Sequence, residues 1–193
     1  MAASAPDLIR PIVAFRQWRL RDDGLWSLRA DEHWGRGVLT ARCRAAVPHA
    51  GPAPQNGCTC GFYAWYVPRP RTSVALTADL VNGAVAMWGA VELHAHGLRA
   101  ERAMVVALAL PLLPGPKRDR VRAAARALEA EAVPARRLRK AALAHGEPVP
   151  KTMRPPDLEP NKRKAPGEPA PARLYAVADG LRQRGPGSHA RRG

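Results

Sequence analysis

Residues 83–110 read GAVAMWGAVELHAHGLRAERAMVVALAL, and this stretch decides the fold class. Over 83–93, Val85, Met87, Gly89, Val91 and Leu93 fall on one side of a period-two pattern, and Ala84, Ala86, Trp88, Ala90 and Glu92 fall on the other. Successive side chains of a strand point to opposite faces, so the alternation predicts a β-strand. Gly89 inside it signals a bulge or a close backbone approach. HAHG (94–97) is a tight turn, after which 98–110 returns as the partner strand.

Working outward toward the N-terminus, PIVAFRQWRL (11–20) mixes β-branched and aromatic residues. The turn residues DDG (22–24) then allow LWSLR (25–29) to come back as the second arm of a hairpin. GVLTARC (37–43) reads as a further strand ending at the first cysteine. Together these segments predict an α+β protein built on a small, curved, mainly antiparallel sheet or partial barrel over residues 9–112. Trp18 and Trp88 lie in strand patterns and are expected in the core. Trp65, beside Tyr63 and Tyr66 and ahead of Arg69 and Arg71, marks the aromatic and basic stretch expected to face a partner.

All three cysteines, Cys43, Cys58 and Cys60, lie within one short segment. An odd count argues against a closed disulfide framework, and a Cys-x-Cys pair is poorly placed to bridge itself. No basic n-region followed by an apolar h-region opens the sequence, and AMVVALALPLL (103–113) is too short to span a bilayer. These features predict a cytoplasmic, reducing setting, where clustered thiols point to metal or redox chemistry. Three thiolates and one imidazole complete a tetrahedral zinc shell; an iron–sulfur cluster is the alternative cofactor. Gly61 follows Cys60, so backbone N–H groups can turn toward a thiolate without a Cβ clash. Pro48, Pro52 and Pro54 stiffen the loop between the ligands. The fourth ligand is either His49, inside the loop, or His94, at the turn of the long strand; His33 and His96 are weaker choices.

Beyond Pro111 the pattern becomes helical. KRDRVRAAARALEAEA (117–132) puts Val121, Ala124, Ala125 and Leu128 on one stripe, and Pro134 suits the first turn of a second helix over 135–145. Residues 116–145 are therefore expected as a helical segment. Residues 146–193 are rich in proline and poor in core formers, which predicts a basic disordered tail. Within it NKRK supplies Lys162, Arg163 and Lys164. With 31 Lys and Arg against 16 Asp and Glu the chain carries a formal charge of +15, which favours an acidic partner, a nucleic acid or an acidic protein.

AFRQWRL (14–20), the cysteine stretch 41–64 ending in CTCGFYA, and MWGAVELHAHGLRAERA (87–103) together resemble a family of small, largely uncharacterised actinobacterial and other bacterial proteins. Cys43, Cys58, Cys60, Gly61, Trp88, Gly89, His94, Gly97, Arg99, Ala100 and Glu101 carry the likeness. It implies His94 as the fourth ligand and brings no activity with it. Two departures stand out: WYVPRPRT follows CTCGFYA where an acidic, helix-like stretch is expected, and Ala90 stands where a basic residue is common.

No nucleophile elbow, Walker loop or dinucleotide-binding glycine turn occurs. Glu101 is the one candidate general base beside a metal-bound water, and an ion pair with Arg99 across one strand face is its simpler role. The sequence therefore predicts a non-enzymatic, zinc-stabilised binding module whose basic tail engages an acidic partner, most of all nucleic acid. A thiol or iron–sulfur redox sensor and a protein-binding adaptor are the alternatives.

Overall fold

A computed structural model describes residues 10–68 and 79–157. The fold is α+β, with a mostly antiparallel sheet and few helices. Its centre is a hairpin of two strands of 14 residues each, β6 (Leu80–Leu93) and β7 (Gly97–Leu110). The N-terminal strand β1 (Ile12–Arg21) runs antiparallel beside β6, from Ile12 opposite Met87 to Arg19 opposite Leu80. It then turns through Asp22 and Asp23 into β2 (Gly24–Ser27), as the hairpin reading expects, and β2 pairs with the short β3 (His33–Trp34). Along its outer edge β7 meets, in turn, β5 (Phe62–Trp65), β4 (Leu39–Thr40) and β8 (Glu131–Pro134). The sheet curls until β5 touches β1 at Phe15 and Trp65, without closing a barrel.

Both faces of the sheet are covered. One carries Trp18, Leu25, Trp34, Phe62, Val85, Met87, Leu98 and Leu108 under the helix α1 (Pro116–Leu128), which contributes Val121, Ala125 and Leu128. The other carries Val13, Phe15, Ala84, Ala86, Ala107 and Ala109 under α2 (Leu138–Leu143), with Trp88 at its margin. The alternation in β6 thus sorts its residues between two cores, and the small alanines let α2 lie close to the sheet. Trp18 and Trp34 meet edge to face with centroids 5.3 Å apart, worth about 0.5–1.5 kcal/mol beyond their burial.

Gly89 marks a bulge. Trp88 faces Arg102 and Val91 faces Ala100, so Gly89 and Ala90 together oppose Glu101 alone. Gly89 sits at φ +80°, and a Cβ there would meet the Glu101 carboxylate at 2.6 Å. That carboxylate accepts from the Ala90 N–H at 3.1 Å and closes the bulge.

Three segments differ from the sequence reading. The strand expected over 37–43 contracts to Leu39–Thr40 plus one bond from the Ala41 N–H to the Glu101 carbonyl, because the chain must leave the sheet to present Cys43. The helix expected to run to 132 stops at Leu128. Glu129 turns left-handed at φ 56° and the Ala130 N–H reaches back to the Ala125 carbonyl at 2.9 Å, which frees 131–134 to pair in parallel with β7. The tail does not begin at 146: Glu147 exchanges backbone bonds of 2.9 Å with Val13 and Pro11, and Val149 is buried.

Candidate metal centre

The cysteine loop leaves the sheet after Ala41 and returns at Phe62, so its two ends are anchored on neighbouring stretches of β7. Gly61 makes the return possible. It sits at φ +105°, and a Cβ there would lie 3.2–3.3 Å from Pro54 and Arg99.

Within this loop the Sγ atoms of Cys43, Cys58 and Cys60 and one imidazole nitrogen of His49 all lie within 4.8 Å of one another, a group that can hold a metal ion. The Cys43 and Cys58 sulfurs are 3.7 Å apart. The edge of a tetrahedron with about 2.3 Å metal–sulfur bonds is about 3.8 Å, so this spacing already matches one. The Nε2 atom of His49 points at the Cys60 sulfur, 3.1 Å away, while its Nδ1 is 3.0 Å from the Gly51 carbonyl. A carbonyl only accepts, so Nδ1 carries the hydrogen and the Nε2 lone pair faces the sulfurs. Metal-binding histidines are oriented by a second-nitrogen contact of this kind.

Arg99 holds the Cys-x-Cys turn from below. It is 4 % exposed on β7, and its Nη1 donates to the carbonyls of both Cys58 and Cys60. Its Nη2 pairs with Glu92 directly across the hairpin, and the guanidinium lies 5.5 Å from the Tyr63 ring centroid. The Cys58 N–H donates to the Gln55 carbonyl at 3.0 Å. The backbone around two ligands is thus set by protein contacts alone. The Cys60 N–H, followed by the Cys60 thiol, holds the Cys58 thiol down to about 7, favouring thiolate, whereas burial pushes the Cys60 thiol up.

His94, the histidine that the family resemblance favours, is not in this group. The turn after Leu93 carries its ring to Glu92, with Nε2 3.3 Å from the carboxylate, so the self-contained alternative with His49 is the one the loop assembles. His96 faces Asp157 at 2.9 Å, and His33 packs against Trp26. The proposed Arg99–Glu101 pair does not form, because the bulge turns Glu101 toward Ala90 and Arg102 and leaves Arg99 to Glu92.

The aromatic face divides. Tyr63 is 46 % exposed, with its hydroxyl on the Thr59 carbonyl. Tyr66 is instead a core residue, its hydroxyl donating to the His94 carbonyl at 2.7 Å and its ring covered by Arg154. Arg69, Arg71, Lys162, Arg163 and Lys164 lie outside the described residues. Sequence reasoning missed the anchoring role of Arg99; a charged triplet, Arg99, Glu101 and Arg102, at the start of a strand that is apolar from Ala103 onward was the available signal. Among the described residues no helix is long and apolar enough to cross a membrane. Comparison with protein-family models, with curated proteins and with solved structures finds no match.

Proposed function

We propose that this protein is a non-enzymatic binding module stabilised by zinc at Cys43, His49, Cys58 and Cys60, and that its basic character serves to engage a nucleic acid. The observation that carries the metal half is the convergence of four ligand atoms within 4.8 Å on a backbone that Arg99 already fixes. Four protein ligands fill a tetrahedral shell and leave no position for a reacting water, which favours a structural role. The net charge of +15 supports the acidic partner, and Lys162, Arg163 and Lys164 supply part of it.

Elemental analysis of protein purified without oxygen or affinity metals tests the site. About one zinc per chain, lost from the His49→Ala variant, is the expected result. Iron with sulfide and visible absorption would replace zinc by the iron–sulfur alternative, and no metal would remove the staple altogether. For the partner, affinity for a short duplex should fall steeply with salt; a salt-insensitive affinity would sink the electrostatic reading. The 3.7 Å spacing of two partly exposed sulfurs favours thiol redox chemistry as the second reading. Peroxide treatment of the metal-free protein that links Cys43 to Cys58, with two electrons passing to peroxide and a thiol reductant reversing the bond, would promote it.

A further inference from the structure

Several arginines of the described residues pair with carboxylates. Arg21 pairs with Asp31, Arg36 with Glu129, Arg44 with Glu32, Arg102 with Glu101, and Arg120 with Asp22. In the open cleft lined by Asp31, Glu32, Arg42 and Arg44, Arg44 takes Glu32 at 3.3 Å. The segment Ala135–Leu143 gathers four cations that do not pair in this way. Arg136, Arg137, Arg139 and Lys140 are all exposed, and among the described residues none has a carboxylate partner. Glu131, the nearest acid along the chain, is taken by His145 at 3.5 Å.

This arrangement runs against local electrostatics. Like charges three and four positions apart repel on a helix surface, and cations are unfavourable near a helix start, where α2 has no acidic residue. The opposite side of the segment is fixed, because Leu138, Ala141 and Ala142 are buried against the second face of the sheet. The four cations therefore sit on a rigid platform, all directed to solvent.

We infer that Arg136, Arg137, Arg139 and Lys140 form a phosphate-contacting surface that takes the backbone of a nucleic acid without reading its sequence. The inference rests on the nucleic-acid reading above and places the contact in the folded unit. Three observations select this occupant. Residues 158–193 hold eight Lys and Arg against three Asp and Glu, so their charge has the same sign as the cluster's and does not complement it. A membrane-bound amphipathic helix needs a free apolar face, and the apolar side of α2 is spent on the core, leaving Leu143 as its one exposed large apolar residue. Residues 135–145 offer Arg, Lys and one His as their polar side chains, and Arg and Lys suit phosphates.

The test is fluorescence anisotropy of the full chain on a 20-base-pair duplex, over a series of salt concentrations. The quadruple variant Arg136→Gln, Arg137→Gln, Arg139→Gln and Lys140→Gln is compared with the native chain. Each lost phosphate contact lowers the slope of log affinity against log salt by about 0.9, so the quadruple variant should lose about 3.6 in slope and on the order of a hundredfold or more in affinity at 0.1 M salt. Single variants Arg137→Gln and Arg139→Gln should each lose about 0.9, which guards against a fold defect in the quadruple variant. If the full chain binds duplex and the quadruple variant binds it with unchanged affinity and slope, the surface is inert and the inference falls while the nucleic-acid reading stands. If the full chain binds neither duplex nor single strand, both fall. Loss of binding to phosphatidylserine vesicles with unchanged duplex affinity would overturn it in favour of a membrane surface.

Discussion

The β6–β7 hairpin and the cysteine loop adjoin each other and are held by opposite means. In the hairpin Val85, Met87, Leu98 and Leu108 are at most 1 % exposed, and each such side chain contributes about 1.5–3 kcal/mol by leaving water. Between residues 44 and 57 only Ala53 is buried, and Val47 is 87 % exposed. The loop has almost no apolar burial to hold it. What it has are prolines, anchored ends, and four ligand atoms turned toward one point. On the proposed reading, cohesion that the hairpin takes from packing comes in the loop from a bound ion beside the Arg99 contacts, and a protein with two such regions has two stabilities rather than one.

Removing the metal should break the loop and spare the hairpin, the largest effect expected here. With free zinc a thousandfold above its Kd, mass action stabilises the native state by about 4 kcal/mol, and chelation withdraws that. Hydrogen exchange before and after chelation is the check. Amides over 43–60 should lose protection while those of β6 and β7 keep it. A uniform loss across both regions would show that burial and ligation are one cooperative unit.

Arg99 is where the two regions join, so its replacement sharpens the comparison. Arg99→Ala releases the Cys58 and Cys60 carbonyls and strands Glu92, and groups that orient ligands typically change metal affinity by about 10–100-fold. Arg99→Lys should fall between the two, since one ammonium cannot span both carbonyls and the carboxylate as a guanidinium does. Competition with a chromophoric zinc chelator reads the affinity. A melt of the chelated protein separates loss of ligand placement from loss of fold. An affinity unchanged in Arg99→Ala would mean that the turn orders itself.

The regions also differ in how far the sequence reveals them. The hairpin is legible because period-two alternation is a local signal, and Gly89 announces its bulge for the same reason. The three sulfur ligands are legible from residue type. The choice between His49 and His94 is not, because His49 lies inside the loop while His94 stands at the hairpin turn far along the chain, and only the folded direction of the 94–97 turn sends its ring to Glu92. Tyr66 reads as surface beside Tyr63, yet the alternation of β5 and the turn that follows carry its ring under Arg154. EAVP at 131–134 reads as helix until the left-handed Glu129 ends α1, after which a partner strand distant in sequence claims it. Helix propensity there is a weak local preference, and four positions of pairing with β7 outweigh it.

The smallest effect is expected at His94, and it is the most pointed. Its ring is half-buried and meets Glu92 at 3.3 Å, a pair near the surface worth about 0–1 kcal/mol. What His94 gives the fold is backbone: its N–H donates to the Gly97 carbonyl at 2.8 Å and its carbonyl accepts the Tyr66 hydroxyl. Alanine keeps both. His94→Ala should therefore leave zinc affinity within about twofold, while His49→Ala deprives the ion of its only nitrogen ligand and lowers affinity by far more. The same chelator titration reads both variants. The opposite ranking would mean that the ion clips the loop to the hairpin turn through a side chain, and the division between a region held by burial and a region held by ligation would dissolve at that residue.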